Sequence, residues 1–200
     1  YPALRPLAFP GKDQLTPSDP TAEFLERLRR LYARMDADYA AAAAGYGFVC
    51  SGCEESCCRT RFHHHTLIEA VCLRQAFERL PAAERMRIRR LAEAWRTASS
   101  EAEGGRPLCP LNRDGRCILY AQRPMICRLH GIPHELGRPG AAAQRSPGCG
   151  EFNRRCGGMA YRRFDRTPLY TALARLESEF RQAIGASGRF KQRITEMLLF

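Results

Sequence analysis

The sequence predicts a mainly α protein: a single compact helical domain with loop-rich segments. Apolar residues recur at intervals of three and four over several segments, which is the spacing of helices that bury one face. The segments between them hold nine of the ten cysteines. A chain of 200 residues can bury a core without disulfides, so the cysteines need another explanation.

The chain is expected to divide into an arm and a domain. Residues 1–18 hold several prolines and show no helical period, which indicates an extended N-terminal arm. Residues 19–200 are predicted to form the single domain. No apolar run approaches the ~20 residues needed to cross a bilayer, and nothing indicates export. We therefore expect no membrane association and reduced thiols in a cytoplasmic protein.

The first helix is expected to begin at Asp19, as N-cap, with Pro20 in the first helical position. Gly45 is a natural end for this helix. Its buried stripe is predicted to contain Phe24, Leu28, Leu31, Tyr32, Met35 and Tyr39.

A second helix is expected to start at Thr66-Leu-Ile-Glu69, which has the form of a capping box. In that motif each side chain satisfies the exposed backbone donor of the other residue. The helix should end before Pro81. The next helix is predicted to face its apolar residues inward, namely Ile88, Leu91, Ala92 and Trp95.

Residues 109–156 are broken by glycine and proline, and the segment 118–122 (Ile-Leu-Tyr-Ala-Gln) is expected to form a short helix that ends near Pro124. Such a long loop-rich stretch is uncommon in a compact domain unless something holds it. Two helices are expected to follow. One starts at Thr167-Pro168 and ends at Gly185, and the other carries Phe190, Ile194, Met197 and Leu198.

Two sets of cysteines point to a metal centre that holds the loop-rich segments. The first set reads Cys50-Ser-Gly-Cys53-Glu-Glu-Ser-Cys57-Cys58, and the second is spread over 109–149. Thiolates are soft ligands that suit zinc and iron-sulfur clusters. The predicted ligands are Cys50, Cys53, Cys57, Cys58, Cys109, Cys117, Cys127 and Cys149.

The metal is expected to be an iron-sulfur cluster, with zinc as the alternative. Tetrahedral zinc sites favour two short chelating pairs such as C-x2-C, and this chain has one. The adjacent Cys57 and Cys58 splay their side chains, which suits the separate metal atoms of a polynuclear cluster.

The cysteine motifs resemble those of the YkgJ-like cysteine-cluster proteins, which are described as a zinc- or iron-chelating domain. The similarity covers about residues 46–152. A common form of the family's first motif has two residues before the Cys-Cys pair, where this chain has three. The matching pieces are Cys50-x2-Cys53-x3-Cys57-Cys58, then Cys117-Ile-Leu-Tyr120-x2-Arg123-Pro124-x2-Cys127-Arg128, and then Cys149 in a Pro-Gly-Cys tripeptide.

The motif also assigns a role to Arg123 and Arg128. They are predicted to bind the cofactor by offsetting thiolate charge and donating hydrogen bonds to sulfur. His130 and His134 stay open as further ligands. Two cysteines are excluded from the predicted site: Cys72 as a small buried hydrophobe, and Cys156 for want of partner spacing.

The favoured function is a metalloprotein with a structural or electron-transfer role, acting with an unidentified protein partner. The alternative is a metal-containing enzyme, because the resemblance extends to flagellin lysine N-methylase, which carries a similar cysteine domain. No Gly-rich strand-to-helix turn for S-adenosylmethionine is visible, so we lean against an enzyme. The formal charge of +11 would suit nucleic acid, but the arginines are spread along the chain, and we do not expect that binding.

Overall fold

The described part of the chain folds into α-helices linked by short hairpins, which confirms the mainly α prediction. A computed structural model describes residues 20–50, 57–60, 62–97, 107–138 and 140–199. The predicted arm at 1–18 lies outside them. The helices are α1 (Pro20–Ala44), α2 (Leu67–Glu78), α3 (Ala82–Thr97), α4 (Met125–Arg128), α5 (Gly150–Cys156), α6 (Thr167–Ala183) and α7 (Ile194–Leu198).

Four strands and two 3-10 helices complete the described structure. They are the strands β1 (Asn112–Arg113), β2 (Arg116–Cys117), β3 (His134–Arg138) and β4 (Ala141–Ser146), and the 3-10 helices Cys57–Arg59 and Tyr120–Gln122.

Helix α1 forms the centre of the frame, because α2, α4 and α6 all pack against it. Its described residues run from Pro20 to Ala44, so it ends one residue before Gly45, as predicted. The predicted N-cap, Asp19, lies outside the described residues. The fixed φ of proline fits the first turn of a helix, where no backbone donor is lost. Most of the predicted stripe is buried, namely Phe24, Leu28, Tyr32 and Met35, while Leu31 and Tyr39 are partly buried.

The start of α2 is where the predicted capping box is wrong. The Thr66 hydroxyl donates to Glu69 Oε2 at 2.6 Å and does not cap the helix. The carboxylate of Glu177 on α6 takes its place, accepting the N–H groups of Leu67 at 2.8 Å and Ile68 at 2.9 Å. A carboxylate is favoured at the positive end of a helix, and this one arrives from a distant part of the chain.

Helix α3 buries a narrower stripe than the sequence predicts. Ile88, Ala92 and Trp95 are buried, but Leu91 is 43% exposed. At 3.6 residues per turn, Leu91 lies about 60° from Ile88 on the side away from Ala92. The prediction for Leu91 is therefore wrong, because α3 buries only one flank of its apolar face.

The segment predicted to be loop-rich contains two antiparallel hairpins, β1-β2 and β3-β4. In the first, Asp114 and Gly115 connect the strands with φ of 51° and 81°. Positive φ at both central residues is the requirement of a type I′ turn, which matches the twist of paired strands. The second hairpin pairs His134 with Ser146 at its base.

The C-terminal helices follow the prediction with one difference. Helix α6 starts at Thr167 with proline in its first turn, and Gly185 beyond its end has φ of 64°. Helix α7 starts only at Ile194, so Phe190 is buried from the segment before it.

One hydrophobic core includes side chains from all the longer helices. The helices of the described residues include none whose length and apolar content would let it cross a bilayer.

We predict that Glu177→Ala destabilises the fold. The substitution leaves the N–H groups of Leu67 and Ile68 without their acceptor, so the free energy of unfolding should fall by about 2–4 kcal/mol. The control is Glu179→Ala on the same helix, whose carboxylate is 35% exposed and pairs with Arg27 and Arg175; since exposed ion pairs contribute little, this variant should lose much less stability. Urea titration followed by circular dichroism measures both. Equal losses would show that Glu177 does not hold the start of α2.

Candidate metal centre

Seven of the eight cysteines predicted as ligands line one cavity of about 730 Å3. The eighth, Cys53, lies outside the described residues. The cavity also touches α1, the segment before α2, and the start of α7. The lining cysteines are Cys50, Cys57, Cys58, Cys109, Cys117, Cys127 and Cys149.

Backbone hydrogen bonds bring Cys58, Cys109 and Cys117 together. The N–H of Cys109 donates to the carbonyl of Cys58 at 2.8 Å, which joins the two cysteine segments. The N–H of Asn112 then donates to the carbonyl of Cys109 at 2.8 Å, and Asn112 pairs with Cys117 across the β1-β2 hairpin. The type I′ turn thus reverses the chain, so that Cys117 lines the cavity near Cys109.

Cys127 is carried by the short helix α4. The N–H of Met125, the first residue of α4, donates to the buried carboxylate of Glu69 at 2.6 Å. Pro124 precedes this residue as N-cap, and the N–H of Cys127 donates to its carbonyl at 2.9 Å. The position of Cys127 is therefore tied to α2 through Glu69.

Cys50 and Cys149 approach the cavity from another side. The ring of Phe48, two residues before Cys50, packs edge-on against Phe152 of α5 at 5.2 Å between centroids. Arg155 of α5 also donates to the carbonyl of Val49 at 3.1 Å. Since Cys149 is the N-cap of α5, these contacts connect the residues before Cys50 with the helix that Cys149 caps.

Gly131 allows the backbone that accepts the Cys149 N–H to pass close to Tyr39. It has φ of 124°, and a Cβ added there would lie 2.7 Å from the Tyr39 hydroxyl. The Gly131 carbonyl accepts the N–H of Cys149 at 2.8 Å. Any larger residue at 131 would be strained and would push Tyr39 away from Cys149.

Burial controls the protonation of the thiols. It raises the pKa of Cys109 to about 12, although a hydrogen bond from the N–H of Leu111 opposes the rise. It also raises the pKa of Cys117, opposed by the N–H of Leu119, and raises the pKa of Cys127 well above its usual value. In the absence of metal these thiols are protonated at neutral pH.

Backbone donors to sulfur recur around the cavity. Besides the N–H groups of Leu111 and Leu119, the N–H of Phe152 donates to Cys149 Sγ at 3.4 Å. A hydrogen bond to sulfur favours the thiolate over the thiol. At Cys109 and Cys117 these donors therefore offset part of the rise in pKa that burial causes.

Arg128 is buried and connects the turn before Cys127 to α1. Its guanidinium donates to Asp36 Oδ2 at 2.5 Å, to the Arg123 carbonyl at 2.7 Å and to the Ala121 carbonyl, and it lies 3.8 Å from the Tyr32 ring centroid. These contacts hold the turn before Cys127 against α1. The predicted contact of Arg128 with a cofactor is not tested by them.

Arg123 lies at the same edge of the cavity. Its guanidinium stacks 3.4 Å from the centroid of the Tyr120 ring and lies 3.8 Å from Asp36. Asp36, an α1 residue that the sequence analysis did not single out, therefore balances the charge of both arginines. The predicted role of Arg123 toward sulfur stays a prediction.

Cys72 and Cys156, both excluded from the predicted site, do not line the cavity. Cys72 is buried in α2, and the Cys156 thiol donates to the Tyr46 carbonyl at 3.6 Å. Of the two histidines left open, His130 lines the cavity and His134 does not.

Tyr39, which lines the cavity, and Arg166, which interacts electrostatically with Tyr39, were not predicted as part of the site. The buried hydroxyl of Tyr39 and the buried Nε and Nη2 of Arg166 have no hydrogen-bond partner in the described structure. Burial lowers the pKa of Arg166 to about 10 and raises that of Tyr39, where Cys50 and Cys149 add to the rise. The helical spacing of apolar residues in α1 predicted Tyr39 only as a core residue. No sequence signal distinguishes Arg166 from the other arginines.

The described histidine, cysteine, aspartate and glutamate side chains include no group of three or more placed so that it could hold a metal ion. The thiols face a common space without being gathered round one point.

We predict that Arg128→Met destabilises the protein, because it leaves the carbonyls of Ala121 and Arg123 without their donor. The expected loss in free energy of unfolding is about 3 kcal/mol. The control is Arg34→Met, whose exposed side chain pairs with Asp38 at 3.7 Å and should contribute under about 1 kcal/mol. Thermal unfolding of both variants measures the difference. Matching melting temperatures would mean that Arg128 does not hold the turn.

Comparison with known proteins gives no match: no family model, curated protein or solved structure matches the chain.

Proposed function

We propose that the chain is an iron-sulfur protein whose cluster binds in the cysteine cavity. The observation that supports this most strongly is that seven cysteines, drawn from two distant segments, line one cavity. Free cysteines are usually scattered as small buried hydrophobes, as Cys72 is here. Thiols brought together by backbone hydrogen bonds and a tight hairpin turn are better explained as ligands.

The size of the cavity favours a cluster over one zinc ion. A structural zinc site closes four ligands round a single atom with Zn–S bonds of ~2.3 Å, which needs little space. The cavity here has a volume of about 730 Å3 and more than four thiols on its wall. Zinc stays the alternative metal for the same ligands.

The environment of the thiols supports a redox centre. When bound, an iron-sulfur cluster supplies one-electron redox chemistry whose potential depends on hydrogen bonds to sulfur and on solvent exposure. The chain provides such donors from the backbone at Leu111, Leu119 and Phe152. Apolar side chains that include Leu73 and Leu111 limit the access of water.

Exposed residues in the cavity wall favour an electron-transfer role. Cys50 is exposed, and Tyr120, which also lines the cavity, is 58% exposed. A protein partner could approach a bound centre at such a residue without unfolding the frame. A purely structural centre would gain nothing from that exposure.

Metal binding would have to draw the thiols closer together, since the described side chains are not gathered round one ion. The ligands must also lose their protons, so part of the binding energy becomes folding energy. The resemblance to YkgJ-like proteins stays an expectation from the cysteine spacing. The enzyme alternative rests on that resemblance, and the described strands pair only as two antiparallel hairpins.

We expect protein purified without oxygen from iron-replete cells to be brown and to contain iron and acid-labile sulfide. Absorbance and chemical analysis of metal and sulfide measure this. Dithionite should bleach the colour, and reoxidation should restore it without loss of iron. Colourless protein with stoichiometric zinc would show that the thiol site binds zinc and not a cluster. Protein with no bound metal would overturn the proposal.

We expect removal of the metal to loosen the cysteine segments more than the frame. Buried thiols would regain protons and lose the bonds that hold 107–128 together. Hydrogen exchange in that range should become faster after chelation under reducing conditions, while exchange in α6 should change little. A uniform increase along the chain would instead show that the metal stabilises the whole fold, and no increase would show that it does not hold the segments.

A further inference from the structure

Arg166 is a buried cation that pairs with none of the carboxylates that the structure describes. It is only 4% exposed, and its backbone N–H donates to the Glu135 carbonyl at 3.0 Å. Two carboxylates lie on the neighbouring backbone, those of Glu135 and Asp165, and both pair with the exposed Arg163, at 3.2 Å and 3.8 Å. A buried charge without a partner costs far more free energy than a buried neutral group. An anion that binds Arg166 would remove this cost.

The unpartnered atoms of Arg166 lie on one edge of its guanidinium. Nε and Nη2 are buried and have no hydrogen-bond partner in the described structure, although the side chain also interacts with the Tyr170 hydroxyl. The N–H bonds of Nε and Nη2 are parallel, and they form the fork that binds two oxygens of one anion side by side. The unpartnered edge is thus the one whose geometry matches an anion with two oxygens.

Tyr39 provides a third donor near this edge. Its hydroxyl is buried without a partner in the described structure, and it interacts electrostatically with Arg166. Both side chains contact the ring of Phe164. The Tyr39 ring packs edge-on against it with 6.4 Å between centroids, and the guanidinium carbon of Arg166 lies 5.4 Å from its centroid. An anion at this position would accept hydrogen bonds from both residues.

We propose that Arg166 and Tyr39 bind the carboxylate of a small organic acid. The fork of Arg166 would hold the two oxygens, and the Tyr39 hydroxyl would donate to one of them. Tyr39 lines the cavity and Arg166 does not, so the acid would enter from the cavity and keep the rest of its molecule there. This inference goes beyond the proposed function and does not depend on it, because neither residue belongs to the predicted metal ligands.

The charge at this position favours a carboxylate over a phosphate. Arg166 supplies one positive charge, and the histidines near it add none at neutral pH. Burial and the charge of Arg166 lower the pKa of His134 to about 4 and also lower the pKa of His130. One positive charge balances one carboxylate, whereas a phosphate carries more than one negative charge at neutral pH.

Neither a thiolate nor water would satisfy Arg166 as well. Cys149 lies near Tyr39, because its N–H donates to the carbonyl of Gly131, where an added Cβ would lie 2.7 Å from the Tyr39 hydroxyl. A sulfur offers one acceptor atom to a fork that matches two. Bound water would accept the hydrogen bonds but would leave the charge of Arg166 unbalanced.

The first test measures acetate binding to the full chain by isothermal titration calorimetry under reducing conditions, with sodium chloride at equal ionic strength as reference. We expect one saturable acetate site per chain. Arg166→Gln should weaken binding by about 100-fold or more, since it removes two hydrogen bonds to a charged group, and Tyr39→Phe by about tenfold, since it removes one. The matched control is Arg163→Gln, which should keep the affinity, because this side chain is 76% exposed and pairs with Glu135 and Asp165.

The second test separates binding from a structural role. Arg166→Met removes the charge and retains much of the volume of the side chain. The melting temperature of the unaltered protein should rise with acetate concentration and that of the variant should not, so the difference between them should grow. A difference that stays the same at every acetate concentration would show that Arg166 only supports Phe164 and Tyr170, and the inference would be wrong.

Inorganic phosphate is the second probe, and we expect it to bind more weakly than acetate. Tighter phosphate binding that Arg166→Gln abolishes would overturn the choice of a carboxylate. If the Arg166 variants do not fold, the unaltered protein and Tyr39→Phe decide the question. Acetate binding that does not exceed that of chloride, or that Tyr39→Phe leaves unchanged, would overturn the inference. Metal content is measured on every sample, so either result leaves the proposed function standing.

Discussion

The carboxylate of Glu69 joins the helical frame to the cysteine segments. It is only 3% exposed, and it accepts hydrogen bonds from Tyr32 on α1, from Thr66, and from the N–H of Met125 at the start of α4. Burial raises the pKa of Glu69 above its usual value, so the folded protein binds a proton there more readily than the unfolded chain. The ionised group therefore lowers stability as the pH rises through that range. The structural role of Glu69 is to position Cys127, because its carboxylate accepts the Met125 N–H and so fixes α4 relative to α2.

One face of α1 provides the second link between frame and site. Tyr32, Asp36 and Tyr39 are spaced by four and three residues, so they lie above one another on the helix. Tyr32 lies under the guanidinium of Arg128, Asp36 pairs with that guanidinium, and the Tyr39 hydroxyl reaches the cavity. A shift of α1 would therefore move the turn before Cys127 and the wall beside Cys149 together.

Features with local causes could be predicted from the sequence. Glycine predicted the end of α1 and proline the start of α6, and the number and spacing of the cysteines predicted that they lie together. The β1-β2 hairpin was missed although Asp114-Gly115 is a strong turn signal, because strands of two residues are too short to show alternation. The contact of Glu177 with α2 joins residues far apart in sequence, which spacing within a segment cannot show.

Binding of the proposed metal centre would change the charge of the cavity. Burial raises the pKa of the Cys109, Cys117 and Cys127 thiols, which keeps them protonated at neutral pH without metal. The proposed centre would replace those protons, and its own positive charge would compensate most of the thiolate charge. The backbone N–H groups of Leu111 and Leu119 would compensate a further part, since they already donate to the sulfurs of Cys109 and Cys117. The turns that bring these two cysteines into the cavity would therefore also stabilise their thiolates in that centre.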